Sequence, residues 1–248
     1  MTPADIAAAS AQLEGQGPEA ALRWAAERFP GRVGFATAFG PEGCVLLEAI
    51  AREKLAVDIF TLDTGLLFPE TVELWHALER RYGVRVRGVQ PAVTVAEQDL
   101  KRGPALWLRA PDQCCDLRKV QPLRTEMLQF DAWITAIRRD QTPERATAGV
   151  VERDPKFGLV KVNPLAPWSS EDVWARVRER DIPTNPLHQR GFPSIGCAPC
   201  TTPVLPGEDP RAGRWRGTVK TECGLHSRPT PAAATSPLPM ENRHGEPG

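Results

Sequence analysis

The sequence has no surplus of either charge, and this absence narrows the range of partners that we expect. Lysine plus arginine and aspartate plus glutamate are equal, at 31 residues each in a chain of 248. No overall field therefore attracts nucleic acid or a membrane surface. Apolar runs are also short, well below the roughly 18 residues that a membrane-spanning helix needs. We expect no nucleic-acid partner and no membrane partner, so an anion site must be a local cluster of basic residues.

The first residues, MTPADIAAASAQLEG, lack the basic flank of a secretory signal. We therefore expect a cytoplasmic location, where the reducing environment keeps thiols unpaired. The 6 cysteines of such a chain favour metal binding or catalysis over structural disulfides. The sequence leaves the oligomeric state open, and a homo-oligomer is compatible with it.

Strand patterns alternate with helix patterns through the first half of the chain. Buried-strand segments such as RVGFATAFG and AVDIFTLDTG precede helix segments such as PEGCVLLEAIARE and PETVELWHALERRYG. A long helix is predicted over about 111–129, before the strand AWITAI. This rhythm predicts an α/β fold with a Rossmann-like parallel sheet and helical crossovers.

The ends of the chain differ from this pattern. Residues 1–30 are expected to form N-terminal helices, and residues 31–226 the main domain. Late in that domain we expect a β-ribbon in GVVERDPKFGLVKVNPL, a capped helix in SSEDVWARVRERD and a loop-rich C-terminal segment. Residues 227–248 are rich in proline and small residues, which predicts a disordered tail.

Polar residues follow three of the predicted strands, at Phe39–Gly43, Leu62–Gly65 and Arg138-Arg139. Ligands of parallel sheets bind at the carboxyl ends of the strands, and a helix N-terminus together with arginines binds phosphate or sulfate well. Each motif alone is weak, since glycine turns are common and Asp63 is also a plausible helix cap. Their convergence on one edge favours a nucleotide pocket, although the glycine loop is not a P-loop.

Four cysteines occur as two pairs, the adjacent Cys114-Cys115 and the C-x-x-C of Cys197 and Cys200. Four thiolates suit a [4Fe–4S] cluster or a structural zinc ion, and a redox dithiol is a third interpretation. Adjacent side chains on a helix diverge by about 100°, which fits a multi-iron cluster better than one ion. Cys44 lies in the apolar run CVLLEAI and is expected to be an inert core residue.

Cys223 has no cysteine partner, and it lies in the polar segment KTECGLH. Its neighbours Lys220 and His226, with three arginines upstream, make a cationic setting. Such a setting favours the nucleophilic thiolate. Cys223 is therefore the candidate nucleophile.

Several of these segments together resemble the assimilatory adenylyl-sulfate reductases of the sulfonucleotide reductase family. The resemblance runs from about residue 30 to 226 and is carried by CCDLRK with GCAPC, by IRRDQTPERA, by NPLHQRGFPSIGCAPCTTPV, and by GRW followed by KTECGLH. It implies the adenine nucleotide α-hydrolase-like type of Rossmann-like sheet, with a C-terminal segment that carries the catalytic cysteine.

The resemblance also implies roles for individual residues. A [4Fe–4S] cluster would be bound by Cys114, Cys115, Cys197 and Cys200, and Cys223 would attack the sulfate sulfur. The adenosine part would be held by Phe39, Gly40, Glu42, Gly43, Leu62, Asp63, Thr64 and Gly65. The candidates for the phosphosulfate are Lys119, Arg138, Arg139, Arg214, Arg216 and His226.

The implied activity is thioredoxin-dependent reduction of adenylyl sulfate to sulfite and AMP, through an enzyme S-sulfocysteine. One departure is that the superfamily loop S-G-G-x-D-S here has Ala38 at its first serine and Glu42 near its end. Use of the 3′-phosphorylated nucleotide, an ATP pyrophosphatase activity and a non-catalytic iron–sulfur or zinc sensor remain as alternatives. The stretch LDTGLLFPE offers acidic Asp63 and Glu70 and no cation, so we expect a preference for the unphosphorylated nucleotide.

Overall fold

Six strands form one mixed sheet in the computed structural model, which describes residues 1–220 and 222–225. The strands are β1 Val33–Ala36, β2 Asp58–Leu62, β3 Arg87–Val89, β4 Ala132–Ile134, β5 Val151–Arg153 and β6 Val160–Val162. Their order is β3-β2-β1-β4-β6-β5, and the neighbours are parallel except for β5 and β6. The predicted α/β sheet is confirmed, and the predicted β-ribbon is the antiparallel edge of that same sheet.

Helices cover the sheet and connect its strands. They are α1 Pro3–Leu13, α2 Pro18–Arg28, α3 Pro41–Arg52, α4 Pro69–Tyr82, α5 Val95–Arg102, α6 Leu106–Arg109, α7 Pro111–Cys115, α8 Gln121–Met127 and α9 Ser170–Glu179. The sequence patterns had not indicated α5 and α6. The capped helix is α9, where Ser169 and Asp172 cap each other's backbone N–H groups. Among the described residues, no helix has both the length and the apolarity to cross a membrane.

The helix predicted over 111–129 is continuous but widens in the middle. Asp116–Val120 form a π-helical turn between α7 and α8, and the Gln121 N–H donates to the Asp116 carbonyl. Pro122 follows directly, and a proline inside an α-helix lacks an N–H and clashes with the carbonyl four residues back. We attribute the wider turn to this proline, because it carries the backbone past a position where the α-helical ladder cannot continue.

The main core lies between the sheet and the helices of one face. The N-terminal helices belong to it, since Ile6, Leu13 and Leu22 pack in the same cluster as the strands. A smaller cluster under α8 contains Phe130, and here Gly34 of β1 is required. A Cβ at Gly34 would lie 2.6 Å from the Phe130 ring, too close for any other residue. Thr221 and residues 226–248, including the predicted tail, lie outside the described residues.

Candidate active site

A crevice opens at the carboxyl ends of β1 and β4. The chain proceeds from β1 to β2 and β3 on one side and then crosses to β4 on the other, which makes this pair the switch point of the sheet. A cavity of about 240 Å³ lies there, lined by Thr37 after β1, Thr61 of β2 and Ile137 after β4. The C-terminal segment that contains Cys223 closes one side.

Cys223 is half-buried and lines this cavity. Four cations line it with Cys223, and they are Lys119, Arg145, Arg211 and Arg214. They come from the π-helical turn, from a short helical turn after β4, and from the loop before Cys223. The tertiary structure thus assembles a thiol and a cationic wall from three distant parts of the chain.

Arg214 is held in place mainly by packing. Its guanidinium lies 4.5 Å from the centre of the Trp215 ring and donates to the Ile195 carbonyl at 3.3 Å. A Cβ on Gly196 would collide with this guanidinium, so only glycine allows the contact. Burial lowers the pKa of Arg214, while the nearby Cys223 thiolate opposes that effect.

Lys119 lies between Cys223 and the four paired cysteines. Burial acts to lower the pKa of Lys119, but the thiolates of Cys197 and Cys223 outweigh it and leave that pKa raised. The ammonium group therefore stays charged beside the candidate nucleophile.

Arg145 and Arg211 share one carboxylate inside the cavity. The Arg145 guanidinium donates to Glu222 Oε1 at 2.9 Å, and Arg211 lies 3.3 Å from Glu222 Oε2. Gln141 holds the other side of Arg145, accepting at 2.5 Å. Burial lowers the pKa of Arg145, with Glu222 acting in the opposite direction.

Seven residues predicted to bind substrate line the cavity, namely Gly40, Glu42, Gly43, Leu62, Thr64, Lys119 and Arg214. Three predicted arginines are engaged elsewhere. Arg138 contacts Glu42 and donates to Asp140 at 2.9 Å, and its side chain is outside the lining. His226 lies outside the described residues.

The other two arginines form ion pairs away from the cavity. Arg139 donates to both carboxylate oxygens of Glu14, the residue after α1, at 2.7 and 2.9 Å. Arg216 pairs with Glu208 at 2.8 and 3.1 Å on the surface. Neither of these two guanidinium groups lines the cavity.

The acidic turn after β2 is internally bonded. Asp63 accepts from the Gly65 N–H and from Gln90 Nε2, both at 3.0 Å, and neither Asp63 nor Gly65 lines the cavity. Glu70 pairs with Arg190 at 3.1 Å. Asp63 thus accepts only from uncharged donors, Glu70 has a cationic partner, and neither carboxylate lines the cavity.

Phe39 packs in the main core and does not line the cavity. It adopts φ 57°, a left-handed conformation that is uncommon outside glycine, and its buried ring stacks on Trp75 at 5.9 Å. Cys44 packs beneath it, fully buried, with its thiol donating to the Phe39 carbonyl at 3.6 Å. Burial raises the pKa of Cys44 to about 12, which fits the expected inert core thiol.

The sequence reasoning missed Arg145 and Glu222, and it counted Arg211 only as part of the cationic setting of Cys223. Arg145 lies in IRRDQTPERA, where the paired arginines at the strand end had drawn the prediction. A short helical turn, Pro143–Arg145, brings this later arginine into the cavity. The only signal in the sequence was that Arg145 lies seven residues after Arg138, and this spacing does not indicate where the Arg145 side chain points.

The four paired cysteines meet in a second, small cavity next to the first. This cavity is lined by Cys114, Cys115, Cys197 and Cys200, together with Lys119 and Trp215. The Cys197 sulfur also contacts the Thr64 hydroxyl at 3.4 Å. All four cysteines are free thiols.

The possible metal donors that line this second cavity are four thiols. Within residues 1–220 and 222–225, no group of three or more histidine, cysteine or acidic side chains is arranged around a single metal position. Four thiols around one space are the ligand complement of a [4Fe–4S] cluster. Burial raises the pKa of Cys114 to about 12 and that of Cys200 to about 11 as free thiols.

The fold and the cavity define an α/β protein with a cation-lined crevice at its switch point and a thiol in the wall of that crevice. A family model, the phosphoadenosine phosphosulfate reductase domain, matches residues 32–203. The chain belongs to this family, whose members are oxidoreductases that act on a sulfur group. The resemblance to sulfonucleotide reductases is confirmed, and the pyrophosphatase and sensor interpretations are set aside.

Individual relatives agree with this assignment. The chain is 47% identical over 219 residues to a phosphoadenosine 5′-phosphosulfate reductase of Gloeobacter violaceus, covering 87% of this chain and 91% of the relative. It is 44% identical over 225 residues to an adenosine 5′-phosphosulfate reductase of Salinibacter ruber, covering 90% and 89%. A phosphoadenylyl-sulfate reductase structure from Candida auris, in a phosphate complex, superposes with a TM-score of 0.73 at 30% identity, covering 82% of this chain and 98% of that one.

Proposed function

We propose that this protein reduces adenylyl sulfate to sulfite and AMP, with Cys223 as the nucleophile and thioredoxin as the dithiol reductant. One observation carries the proposal. Cys223 lines the same switch-point cavity as Lys119 and Arg214, together with two further arginines. A thiol is thus placed where a nucleotide of this fold type would bring a phosphosulfate group. Such a reaction belongs in a reducing compartment, in line with the cytoplasmic location expected from the sequence.

The first step forms a bond between sulfur atoms. The Cys223 thiolate attacks the sulfate sulfur, the bond from that sulfur to the bridging oxygen breaks, and AMP leaves with the electron pair. Negative charge grows on the departing phosphate, and cations already in position stabilise it without reorganisation. We assign this role to Lys119 and Arg214, with Arg145 and Arg211 binding the remaining anionic oxygens.

The second step is a thiol exchange. A thioredoxin thiolate attacks the Cys223 sulfur, sulfite leaves with the electron pair, and a mixed disulfide forms. The second thioredoxin thiol then resolves the disulfide and regenerates the Cys223 thiol. The dithiol is oxidised by two electrons in total, which matches the reduction of sulfate sulfur to sulfite.

The [4Fe–4S] cluster is the proposed occupant of the four-cysteine cavity, held by Cys114, Cys115, Cys197 and Cys200. The cluster would give structural and electrostatic support there, since each of the steps above moves electrons in pairs and needs no electron carrier. Arg118 serves the same region by packing, because it is buried and donates to the Thr64 carbonyl at 2.6 Å and to Gln98 at 3.1 Å. It joins the helix that carries two of the cysteines to the turn after β2.

Adenylyl sulfate is the proposed substrate in preference to its 3′-phosphorylated form. Relatives of this chain bear both names, so the names alone do not decide between them. Near the end of β2 the cavity lining consists of the uncharged Thr61, Leu62 and Thr64. A 3′-phosphate adds nearly two negative charges and needs basic partners of its own. The four described cations of the lining are already assigned to the phosphosulfate.

The direct test is sulfite release from adenylyl sulfate with thioredoxin. We expect stoichiometric sulfite and AMP, and, without reductant, a sulfonate adduct on the protein. Peptide mass spectrometry should place this adduct on Cys223. An adduct on Cys44 or on one of the four paired cysteines would overturn the assignment of the nucleophile.

The cluster has its own test, independent of turnover. Protein purified without oxygen should be brown and contain roughly four irons and four labile sulfides per chain. Replacement of Cys197 by serine should remove most of this iron. Stoichiometric zinc without sulfide would contradict the cluster.

A further inference from the structure

Glu222, which directly precedes Cys223, projects into the cationic cavity. One carboxylate oxygen accepts from Arg145 at 2.9 Å, and the other lies 3.3 Å from Arg211. The side chains are largely buried, with 14% of Glu222, 11% of Arg145 and 24% of Arg211 exposed. These contacts are therefore less screened by water than an ordinary surface ion pair.

Two neighbouring guanidinium groups need an anion between them. Arg211 acts to lower the pKa of Arg145, which reflects the mutual repulsion of the two charges, whereas Glu222 raises that pKa. Without Glu222 or a ligand, the two guanidinium groups would lose the carboxylate that contacts both of them, and their repulsion in a largely buried site would carry a cost. A carboxylate presents two oxygens to arginine in the same planar, forked manner as phosphate or sulfate. In the protein without substrate, Glu222 supplies that anion.

We propose that Glu222 is a placeholder for the anionic group of the substrate, exchanged for that group when the nucleotide binds. This inference rests on the function proposed above and names a residue that controls its affinity. Arg145 and Arg211 stay assembled and neutralised in the free protein. The nucleotide has to displace a tethered carboxylate in order to reach them.

The exchange also acts on the nucleophile, because Glu222 and Cys223 are adjacent. Losing the arginine contacts frees this part of the segment to turn toward the sulfur. Two other contacts keep the segment attached meanwhile, since Lys156 donates to the Gly224 carbonyl and Lys220 pairs with Asp112. Binding of the anion and release of the nucleophile thus depend on the same carboxylate. Glu222 is a positioning residue, since it acts through Cys223 and the arginines.

The test measures binding of inorganic sulfate and of AMP to the cluster-loaded full-length protein by calorimetry, without any turnover. In Glu222→Gln the competing charge is gone, and we expect both probes to bind about tenfold more tightly, which corresponds to about 1.4 kcal/mol. Glu208→Gln is the matched control. It removes a carboxylate from the same part of the chain, one that pairs with Arg216 outside the cavity. Its affinities should stay within about twofold of the wild type, where a 1.4 kcal/mol change would be tenfold.

The possible results separate this inference from the proposed function. Tighter binding only in Glu222→Gln supports the placeholder, even if adenylyl sulfate proves not to be the substrate. Unchanged or weaker binding overturns it and makes Glu222 a clamp that merely orders the arginines. Equal tightening in both variants also overturns it, because the effect would be a general change of charge. Glu222→Asp keeps the charge but shortens the reach, so we expect a smaller increase in affinity for this variant. An unchanged affinity in Glu222→Asp would count against the placeholder.

Discussion

Two groups of arginines lie near the carboxyl edge of the sheet, and they differ in their surroundings. Arg145 and Arg214 line the switch-point cavity and are partly covered by protein. Arg139 and Arg216 point outward and bind surface carboxylates. All four lie in segments that resemble the same family. The comparison teaches that a basic residue at a strand end becomes a ligand only if neighbouring packing directs it inward.

Packing provides that direction in different ways for each arginine. Arg214 is inward because Gly196 lacks a Cβ and Trp215 offers a ring face. Arg139 is outward because Glu14, just after α1, lies within bidentate reach and the Ala148 carbonyl accepts from its Nε at 2.7 Å. Such neighbours are distant in sequence.

The largest expected effect is at Cys223, and it tests the contrast between this cavity thiol and the buried core thiol of Cys44. Cys223→Ser should abolish sulfite release, because a serine hydroxyl is far less nucleophilic than a thiolate at neutral pH. The absorption of the cluster and the affinity for AMP should remain. Cys44→Ala is the control, and it should retain turnover per folded molecule while losing about 1 kcal/mol or more of stability through the small cavity it creates. Full loss of activity in Cys44→Ala would contradict the division of roles.

The arginine comparison itself can be tested with one pair of variants. Arg214→Ala should lower kcat/KM by about a hundredfold or more, the usual cost of removing a donor that stabilises developing negative charge. Arg216→Ala, two residues away, should change kcat/KM by about twofold or less, because its guanidinium lies outside the cavity lining in an exposed pair with Glu208. Steady-state assays of sulfite release give both values. Similar losses in the two variants would show that the outward arginine reaches the substrate.

Substrate choice is the next effect in size. We expect kcat/KM for adenylyl sulfate to exceed that for the 3′-phosphorylated nucleotide by at least about tenfold, or about 1.4 kcal/mol. We attribute this preference to the uncharged lining near Thr61 and Thr64. We do not attribute it to Asp63, whose carboxylate accepts a hydrogen bond from Gln90 outside the lining. Parallel assays with the two nucleotides measure it. Equal efficiencies would mean that the cavity does not distinguish the 3′ position.

The smallest effect is expected at the outer pair of Arg139 and Glu14, whose side chains are 32% and 44% exposed. Arg139→Ala should cost less than about 1 kcal/mol of unfolding free energy. The Arg139 hydrogen bond lowers the pKa of Glu14 below the ordinary 4.5. The contribution of the pair is therefore present at neutral pH and is lost as the pH falls through this lowered value. Denaturant titrations should show a larger difference between the variant and the wild type at pH 7 than at a pH below the lowered pKa of Glu14.

The sequence by itself determined the class of fold and the chemical inventory. Strand and helix periods are local properties, so the alternation around RVGFATAFG and AVDIFTLDTG predicted the sheet without knowledge of any contact. The cysteine spacings and the segment KTECGLH likewise indicated thiol chemistry. The short helices α5 and α6 escaped prediction, since brief elements carry little periodic signal.

Only the tertiary structure decided which charges face the cavity. Arg145 and Glu222 are 77 residues apart in the chain, and their contact exists because β4 and the C-terminal segment meet at the same edge of the sheet. Gln90 likewise reaches Asp63 from the end of a neighbouring strand and donates a hydrogen bond to its carboxylate. Side-chain direction depends on packing between elements distant in sequence, and a local pattern of residue types contains no information about it.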